Sequence, residues 1–269
     1  MRRSELVGHM QRTEALEASS YPSASPQVAR AMGTATRRIA GVTCLATTNI
    51  DEPYLNRAIG VGTIAEATPR LLDRIEGFYA SLEKPTRVTM PHDFAPAAAL
   101  RVLERRGYRL AKQEPWSVYI YDRKGMPPLP DVPGLTIERV KPEMATIYAR
   151  TSFESFSERG PGFVNIVEAL VRSRRRGLRA FLGRIDGEPA ATGMLFDARP
   201  VGGLGNGSVA PAFRGRGLQR ALIVHRMRDG WARGYRLFFG QTQNPVSAHN
   251  MESIGWRKLY DEQDYEKRA

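Results

Sequence analysis

One segment constrains the fold of this 269-residue chain more than any other: residues 209–222 read as a strand end, a basic glycine-rich turn and a helix. Apolar residues recur at helical spacing from Leu218 to Met227. Gly215 and Gly217 permit backbone dihedrals that a side chain forbids and allow close approach to a ligand. The first N–H groups of such a helix lack partners within it and, with the helix dipole, favour an anion such as a pyrophosphate. Three arginines add positive charge at this turn: Arg214, Arg216 and Arg220.

The same segment resembles the acetyl-CoA loop of the GNAT N-acetyltransferase superfamily, in which Gln/Arg-x-x-Gly-x-Gly/Ala follows a strand ending in Val-x-Pro. Arg214, Gly217 and Gln219 occupy the three defined positions. Gln219 departs from the usual Gly or Ala, and its longer side chain either crowds the pyrophosphate or points outward along the helix. The resemblance implies that these residues bind the cofactor: Val209, Arg214, Gly215, Arg216, Gly217, Leu218, Gln219 and Arg220.

A later segment carries the resemblance further. Asn244, Ser247, Gly255 and Trp256 match the GNAT pattern Asn-x-x-Ala/Ser-x-x-x-x-x-x-x-Gly-Phe at the same spacing. The resemblance implies that Asn244 ends a strand and bonds the pantetheine arm, and that Ser247 faces the cofactor from the next helix. Gly255 suits the residue just past a helix end, where left-handed dihedrals are common. We interpret Gly255 and Trp256 as residues that shape the fold, and the resemblance covers residues 133–269.

The second half of the chain predicts elements in the order β-α-α-β-β-β-α-β-α-β, which is the GNAT order. A strand is expected at Leu135–Val140, with helices near 141–154 and 162–176. A hairpin over 179–197 turns at Asp186-Gly187, a dipeptide that favours two-residue hairpin loops. A strand over 202–210 then leads into the glycine turn.

The segment 126–134 contains four prolines, which forbid regular structure and stiffen a connection. We therefore expect a Pro-rich linker over 126–134 between a degenerate GNAT-like domain over 27–125 and an acetyl-CoA-binding GNAT domain over 135–269. Residues 1–26 show no sustained periodicity and are expected to form a flexible N-terminal tail or a partly ordered lead-in helix. The fold class is α/β (α+β), with two GNAT-like domains, each a mixed, mostly antiparallel central sheet flanked by helices.

The two halves read as diverged copies. When Gly107 is aligned with Gly255, each half shows a helix that ends in Gly-aromatic-Arg. The first half, however, has residues 63–69 where the second has its glycine turn, and Glu66 there would repel a phosphate. The first half is therefore expected to have lost its cofactor site, and the chain resembles tandem GNAT proteins with a degenerate N-terminal half.

The resemblance implies that an amine attacks the thioester directly, with the enzyme supplying proximity and orientation. A backbone N–H at the Val209 strand is expected to face the thioester carbonyl. Many members of the superfamily carry a tyrosine seven residues after the Asn to protonate the leaving thiolate, whereas this chain has Met251. Ser247, Tyr260 or water remains to supply that proton, and Tyr260 also fits a packed strand aromatic.

No Asp or Glu lies in the strand from Gly202 to Val209, where several GNAT enzymes carry a base. Glu154 is the candidate base, with Glu158 and Asp197 as alternatives, although each also fits a surface or capping role. Together with Ser247 and Tyr260, Glu154 completes the candidate catalytic set. The spacing of the histidines predicts no metal site.

Composition limits the classes of protein to which the chain can belong. No apolar run approaches the ~18 residues of a membrane-spanning helix, and the first 30 residues lack an apolar signal-peptide core, so we expect a cytoplasmic protein with no membrane partner. The single cysteine, Cys44, excludes an internal disulfide. The net charge of +12 is compatible with nucleic-acid binding, but the arginines are scattered along the sequence and no nucleic-acid-binding motif is present. The run Arg172–Arg176 fits a solvated helix face or a clamp for an acidic partner.

The sequence leaves three functions open. The leading one is an N-acetyltransferase that uses acetyl-CoA, or another short acyl-CoA, as cosubstrate and a small-molecule amine as acceptor. The second is an acyl-CoA-binding pseudoenzyme or sensor module. The third is a basic nucleic-acid-binding protein, whose affinity would fall steeply with salt. The sequence is compatible with a homodimer and does not identify the acceptor or the acyl-chain length.

Overall fold

The computed structural model describes residues 2–156, 160, 162–173 and 177–267. The chain forms two compact units: unit 1 is Met1–Val118 with Leu259–Ala269, and unit 2 is Tyr119–Lys258. The helices are α1 (Arg3–Ser20), α2 (Pro26–Met32), α3 (Pro69–Ala80), α4 (Ala97–Arg105), α5 (Ala145–Phe153), α6 (Gly162–Arg172), α7 (Leu218–Ala232) and α8 (Pro245–Ser253). The strands are β1 (Thr34–Ile39), β2 (Val42–Thr47), β3 (Arg57–Ile59), β4 (Thr86–Pro91), β5 (Arg109–Leu110), β6 (Trp116–Tyr121), β7 (Leu135–Arg139), β8 (Leu178–Ile185), β9 (Glu188–Ala198), β10 (Val201–Val209), β11 (Leu237–Thr242) and β12 (Arg257–Lys267).

Unit 2 contains a mixed, mostly antiparallel sheet in the order β7-β8-β9-β10-β11. The pairs from β7 to β10 are antiparallel, and β10 pairs with β11 in parallel across the crossover helix α7. The β8–β9 hairpin turns at Asp186 and Gly187, whose φ angles of 49° and 88° suit a two-residue turn. The predicted order of elements in the second half is confirmed.

Helix α7 anchors this unit because its apolar side chains face the sheet. Leu218, Leu222 and Met227 are almost fully buried and share one core with Leu195 of β9 and Phe238 of β11. Burial of apolar side chains is the main favourable term in folding, so this packing fixes the N-terminal end of α7 against the ends of β10 and β11.

Unit 1 repeats this arrangement. Its sheet runs β1-β2-β3-β4-β12, with antiparallel β1–β2 and β2–β3 pairs and a parallel β3–β4 pair around the crossover helix α3. The β1–β2 hairpin turns at Ala40 and Gly41, with φ angles of 49° and 91°. Strands β1 to β4 therefore correspond to β8 to β11, and α3 corresponds to α7.

The ends of α4 and α8 support the same correspondence. Gly107 and Gly255 follow these helices with φ angles of 87° and 94°. The N–H of Tyr108 donates to the carbonyl of Leu103 over 3.1 Å, and the N–H of Trp256 makes the equivalent bond over 3.1 Å. Both are left-handed helix endings, for which glycine is the usual residue. This agrees with the alignment of the two halves.

The compact units do not follow the predicted domain boundaries. From Leu259 onward β12 lies in unit 1, antiparallel to β4, and Tyr119–Tyr121 at the end of β6 lie in unit 2 next to β11. Each unit thus includes a strand segment from the other half of the sequence. The Pro-rich segment 126–134 lies within unit 2, where Val132 joins the core.

Of the two alternatives for the N-terminal segment, the structure has the helix and not the flexible tail, because residues 3–20 form α1. The buried positions of α1 include the polar residues Gln11, Glu14 and Glu17 as well as Val7 and Met10. This mixture leaves no apolar periodicity from which a helix can be predicted. Across the described residues, the structure has no helix of the length and apolarity needed to cross a membrane.

Candidate functional site

Strands β10 and β11 separate at their carboxyl ends. Their parallel ladder joins Val201–Leu204 to Leu237–Gly240, after which β10 continues to Val209 paired with β9. This separation leaves an opening bounded by Gly205–Val209 of β10 and Gln241–Thr242 of β11. We call this opening the strand wedge. Ligands of sheets with parallel strands bind in such openings outside the carboxyl ends of the strands.

The backbone of Val209 points into the strand wedge. The N–H of Ala210 donates to the carbonyl of Ala190 over 2.8 Å, so that pair is hydrogen-bonded across β9 and β10. Hydrogen-bonded and non-hydrogen-bonded pairs alternate along antiparallel strands, so the preceding pair of Val209 with Ala191 directs its backbone groups away from β9. The Val209 carbonyl accepts from the Ser155 hydroxyl over 2.7 Å on that side. This is the direction that a donor to a thioester oxygen requires.

The N-terminus of α7 lies at the mouth of the strand wedge. Its N-cap is Gly217, at φ 83°, and among the described residues no side chain caps the first N–H groups. The equivalent helix of unit 1, α3, differs, because the Thr68 hydroxyl accepts from the Leu71 N–H over 3.2 Å. The first amides of α7 are therefore available to an anionic ligand, whereas one of those of α3 is already bonded.

Three exposed arginines surround this helix end. Arg214 Nε donates to the Val209 carbonyl over 3.3 Å, and the Arg216 guanidinium lies 5.6 Å from a neighbouring aromatic ring. Arg220 folds back over the loop, since its Nη2 lies 3.6 Å from the position that a Cβ on Gly217 would occupy. Three cations and the free helix amides therefore converge where the sequence predicts the anion site.

The second predicted binding segment opens α8. Asn244 is its N-cap, and the Asn244 Oδ1 accepts from the N–H groups of Val246 over 2.9 Å and Ser247 over 3.3 Å. Capping therefore occupies the acceptor end of this side chain. The donor end, Nδ2, is the part of Asn244 suited to bond a carbonyl of the pantetheine arm.

Gln219 takes the second of its two predicted orientations, away from the glycine turn. Its Nε2 donates to the Ser247 hydroxyl over 2.8 Å, and its Oε1 accepts from Asn250 Nδ2 over 2.6 Å. The side chain thus bridges α7 to α8 and leaves the amides at the start of α7 uncovered. Ser247 lies in the first turn of α8, and its hydroxyl oxygen already accepts this one bond.

The candidate proton donor Tyr260 lies elsewhere. It belongs to unit 1, where it is 1% exposed and packs edge-on to Phe94 with ring centroids 5.7 Å apart. Burial and the Glu262 carboxyl raise the pKa of Tyr260 well above its usual value. A buried, weakly acidic phenol does not suit proton delivery to a thiolate, so the packed-aromatic interpretation of Tyr260 fits the structure better. Met251 is also buried, with its Cε 3.2 Å from the Cβ position of Gly240.

The candidate bases fall in three different settings. Glu154 is exposed at the end of α5, next to Ser155, whose hydroxyl holds the Val209 carbonyl. Asp197 is engaged by Arg233 over 2.6 Å and by the Tyr235 hydroxyl, which suits a structural role. Glu158 and the arginines at 174–176 lie outside the described residues.

Sequence reasoning missed a polar network around the middle of β10. Asn206 has φ 48°, and its Oδ1 accepts from the Tyr148 hydroxyl over 2.9 Å and the Ser152 hydroxyl over 3.2 Å. The Thr192 and Ser208 hydroxyls share a hydrogen bond of 2.6 Å. The pattern Gly-Asn-Gly inside a strand is typical of a β-bulge and was the available signal. Among the described residues, no group of three or more His, Cys, Asp or Glu side chains is arranged to hold a metal ion.

A family model described as the acetyltransferase (GNAT) domain matches residues 98–241, more than half of the chain. The chain belongs to the GNAT acetyltransferases. The matched region includes β10, the glycine turn and α7, and it ends before Asn244. A search of curated protein sequences found no match to this GNAT chain.

Solved structures agree with this fold. A GCN5-related N-acetyltransferase from Kribbella flavida has a TM-score of 0.64 at 16% identity, covering 93% of this chain and 96% of that one. One from Sphaerobacter thermophilus has a TM-score of 0.55 at 20% identity, covering 73% and 64%. A tandem GNAT protein from the clavulanic acid biosynthesis pathway has a TM-score of 0.55 at 16% identity, covering 74% and 68%. At these identities the likeness establishes the fold alone.

Proposed function

We propose that this GNAT chain is an N-acetyltransferase that moves an acyl group from acetyl-CoA, or another short acyl-CoA, to the amine of a small molecule. One observation carries the proposal: the uncapped N-terminus of α7 opens beside the strand wedge, under three exposed arginines. Helix amides and arginines both favour phosphate oxygens, and charge-assisted bonds of this kind are about twice as strong as neutral ones.

The donor is assigned to unit 2 along one continuous path. Its pyrophosphate bonds the amides that follow Gly217, with the arginines around it. Its pantetheine arm lies in the strand wedge, where the exposed edge of β10 and the Nδ2 of Asn244 offer bonding groups. Its thioester carbonyl accepts from the Val209 N–H, which the alternation of the β9–β10 ladder directs into the wedge.

The reaction that this arrangement supports is a direct transfer. The amine nitrogen of the acceptor forms a bond to the thioester carbon, the carbon–sulfur bond breaks, and the amine loses a proton. The N–H of Val209 stabilises the oxyanion that develops on the carbonyl oxygen. Because Met251 is buried in the core and has no proton to donate, we assign protonation of the thiolate to water or to the Ser247 hydroxyl. Glu154 is kept as the candidate base.

Unit 1 is proposed to bind no acyl-CoA, as in a tandem GNAT protein with a degenerate N-terminal half. The hydroxyl of Thr68 already accepts from an amide in the first turn of α3, and Glu66 is exposed just before that helix. A carboxylate and a filled cap both disfavour phosphate at this position.

An acyl-CoA-binding sensor module is the second candidate. The buried positions of Met251 and Tyr260 favour it, because neither side chain provides an accessible acid. A binding module would hold acetyl-CoA without turnover for any amine.

Release of free CoA thiol from acetyl-CoA, followed colorimetrically over a panel of small amines, tests the proposal. We expect amine-dependent release by the wild-type chain and none by the Gly217→Asp variant. Tight acetyl-CoA binding without release for any amine would support the sensor module, and absence of binding would exclude both.

A further inference from the structure

A guanidinium is buried within unit 2 beneath the strand wedge. Arg226 of α7 is 2% exposed, although arginine is among the residues least often fully buried. Its Nη1 donates to the carbonyl of Met194 over 2.9 Å and to that of Gly205 over 3.1 Å, and its Nε donates to the carbonyl of Leu222 over 3.2 Å. Met194 lies on β9 and Gly205 on β10, and the two residues are register partners. One side chain therefore ties two neighbouring strands to α7.

Of the two glycines beside this group, Gly193 makes room for it and Gly207 does not need to. A Cβ on Gly193 would lie 2.7 Å from the Arg226 Cζ, a distance that real Cβ atoms essentially never show. A Cβ on Gly207 would lie 3.5 Å from its Nη2, which is ordinary contact. The backbone of β9 therefore approaches the guanidinium as closely as only glycine permits.

The bonds of Arg226 fall at a break in the β9–β10 ladder. Gly205 pairs with Met194 and Ser208 with Thr192, so β10 advances three residues while β9 advances two. The additional residue is a β-bulge, and Asn206 within it has φ 48°. The hydroxyls of Tyr148 and Ser152 hold the Asn206 side chain, and Arg226 holds the Gly205 carbonyl before it.

This bulge decides which way Val209 points. A slip of one residue along a strand reverses the direction of every following backbone and side-chain group. With the additional residue present, the Val209 N–H faces the strand wedge; in a ladder without it, the same N–H would face β9. A group that holds the bulge therefore holds the donor to the thioester oxygen.

We propose that Arg226 is a positioning residue for acyl transfer, which fixes the Gly205–Ser208 bulge and so aims the Val209 N–H at the thioester carbonyl. The proposal rests on the proposed function. Because Arg226 is 2% exposed, we assign it no direct contact with the donor or the acceptor.

Infrared spectroscopy of acetyl-CoA labelled with ¹³C at the thioester carbonyl tests it without an acceptor. Bound to the full wild-type chain, the carbonyl band is expected to move to lower frequency, because a hydrogen bond weakens the C=O bond. The Arg226→Lys and Arg226→Met variants are expected to lose that shift while their affinity for desulfo-CoA stays within about 3-fold, since the phosphate contacts are untouched. Arg228→Met, at an exposed position on the same helix, is the matched control and should behave as wild type.

If the Arg226 variants fail to fold, Gly193→Ala is the variant to test in their place, because its added Cβ displaces the Arg226 guanidinium without removing it. Thermal denaturation of each variant establishes folding before the spectra are compared. Folded variants that bind acetyl-CoA and retain the shifted band would overturn the positioning role. A wild-type chain that binds no CoA species would overturn the proposed function and this inference together, whereas unaltered variants beside a binding wild type would overturn this inference alone.

Discussion

At the scale of single residues, the difference between Gly217 and Thr68 separates the two units. Both stand at the N-cap of a crossover helix between two parallel strands. The threonine hydroxyl satisfies an amide of α3, while the glycine leaves the amides of α7 to a ligand. The φ of 83° at Gly217 places it in the left-handed region, where glycine is favoured and Asn or Asp is tolerated best among other residues.

Gly217→Asp should therefore abolish binding of acetyl-CoA, because a carboxylate would stand at the pyrophosphate. Gly217→Asn is the matched control, since it has the same shape and tolerance of positive φ without the charge. Calorimetric titration is expected to give a loss of about 10²-fold or more for the Asp variant and a much smaller loss for Asn, in line with like charges at contact distance. Equal losses in the two variants would mean that backbone strain, and not charge, determines the effect.

Gln219 provides a second test at this scale. Because its side chain bonds Ser247 and Asn250 and points away from the α7 amides, Gln219→Ala should leave the acetyl-CoA affinity within about 3-fold and lower the free energy of unfolding by about 1 kcal/mol. Asn250→Ala removes the other end of the bridge and should match it in denaturant unfolding. A large gain in affinity for Gln219→Ala alone would instead show that the glutamine crowds the donor.

At the scale of elements, the features that could be predicted are those that the local sequence determines. The hairpin at Asp186-Gly187 and the glycine ending of α8 follow from dihedral preferences of single residues, and the structure has both. The Gly-Asn-Gly pattern indicates a bulge near Asn206, but the shift in register that the bulge produces depends on the partner strand β9. Helix α1 buries Glu14 and Gln11, so its helical face carries no apolar signature. Contacts between distant segments determine these features, and a single sequence does not contain them.

Helix α1 brings a carboxylate into the interior of unit 1. Glu14 pairs with Arg57 of β3 over 2.6 Å, and Glu262 of β12 lies 3.9 Å from the same guanidinium. Burial, and next the Glu14 carboxylate, raise the pKa of Glu262 well above its ordinary value of 4.5. The folded state therefore holds this proton more tightly than the unfolded state, so the stability it contributes is present below pH 4.5 and is lost as the pH rises through the folded pKa.

Glu262→Gln should remove this dependence, because glutamine keeps a neutral hydrogen-bonding group of the same size. Thermal denaturation from about pH 4 to pH 9 is expected to show the variant more stable than wild type, by an amount that grows with pH and vanishes below the unfolded pKa of about 4.5. Glu5→Gln, at an exposed position of α1, is the control and should track wild type. A variant less stable than wild type at high pH would show that Glu262 is needed as a charged partner of Arg57.

At the scale of the whole molecule, each unit contains a strand segment from the other half of the sequence. The two units therefore do not coincide with the two halves of the chain. The prolines of segment 126–134 led to the predicted boundary there, whereas the structure places this segment within unit 2. Composition indicates where regular structure stops, but it does not indicate which strands pair. The last strand of the chain completes the sheet of unit 1 beside β4.

Ending the chain after Lys258 should consequently destabilise unit 1, although the deletion lies in the second half of the sequence. Hydrogen exchange is expected to show lost protection in β4, whose partner has been removed, because backbone amides without partners exchange freely. Protection in β9 and β10 of unit 2 is the internal control. Unchanged protection of β4 would contradict the division of the chain into these two units.

We assign one donor site to the whole chain, in unit 2, and none to unit 1. Calorimetric titration of the intact protein with acetyl-CoA and desulfo-CoA, beside duplex DNA at two salt concentrations, tests this most directly. We predict one equivalent of either CoA species bound per chain at micromolar affinity, and DNA binding, if any, that falls steeply with salt. Two equivalents would contradict the loss of the site in unit 1. No CoA binding, with salt-sensitive DNA binding alone, would contradict the assignment of residues 209–222 as the donor site.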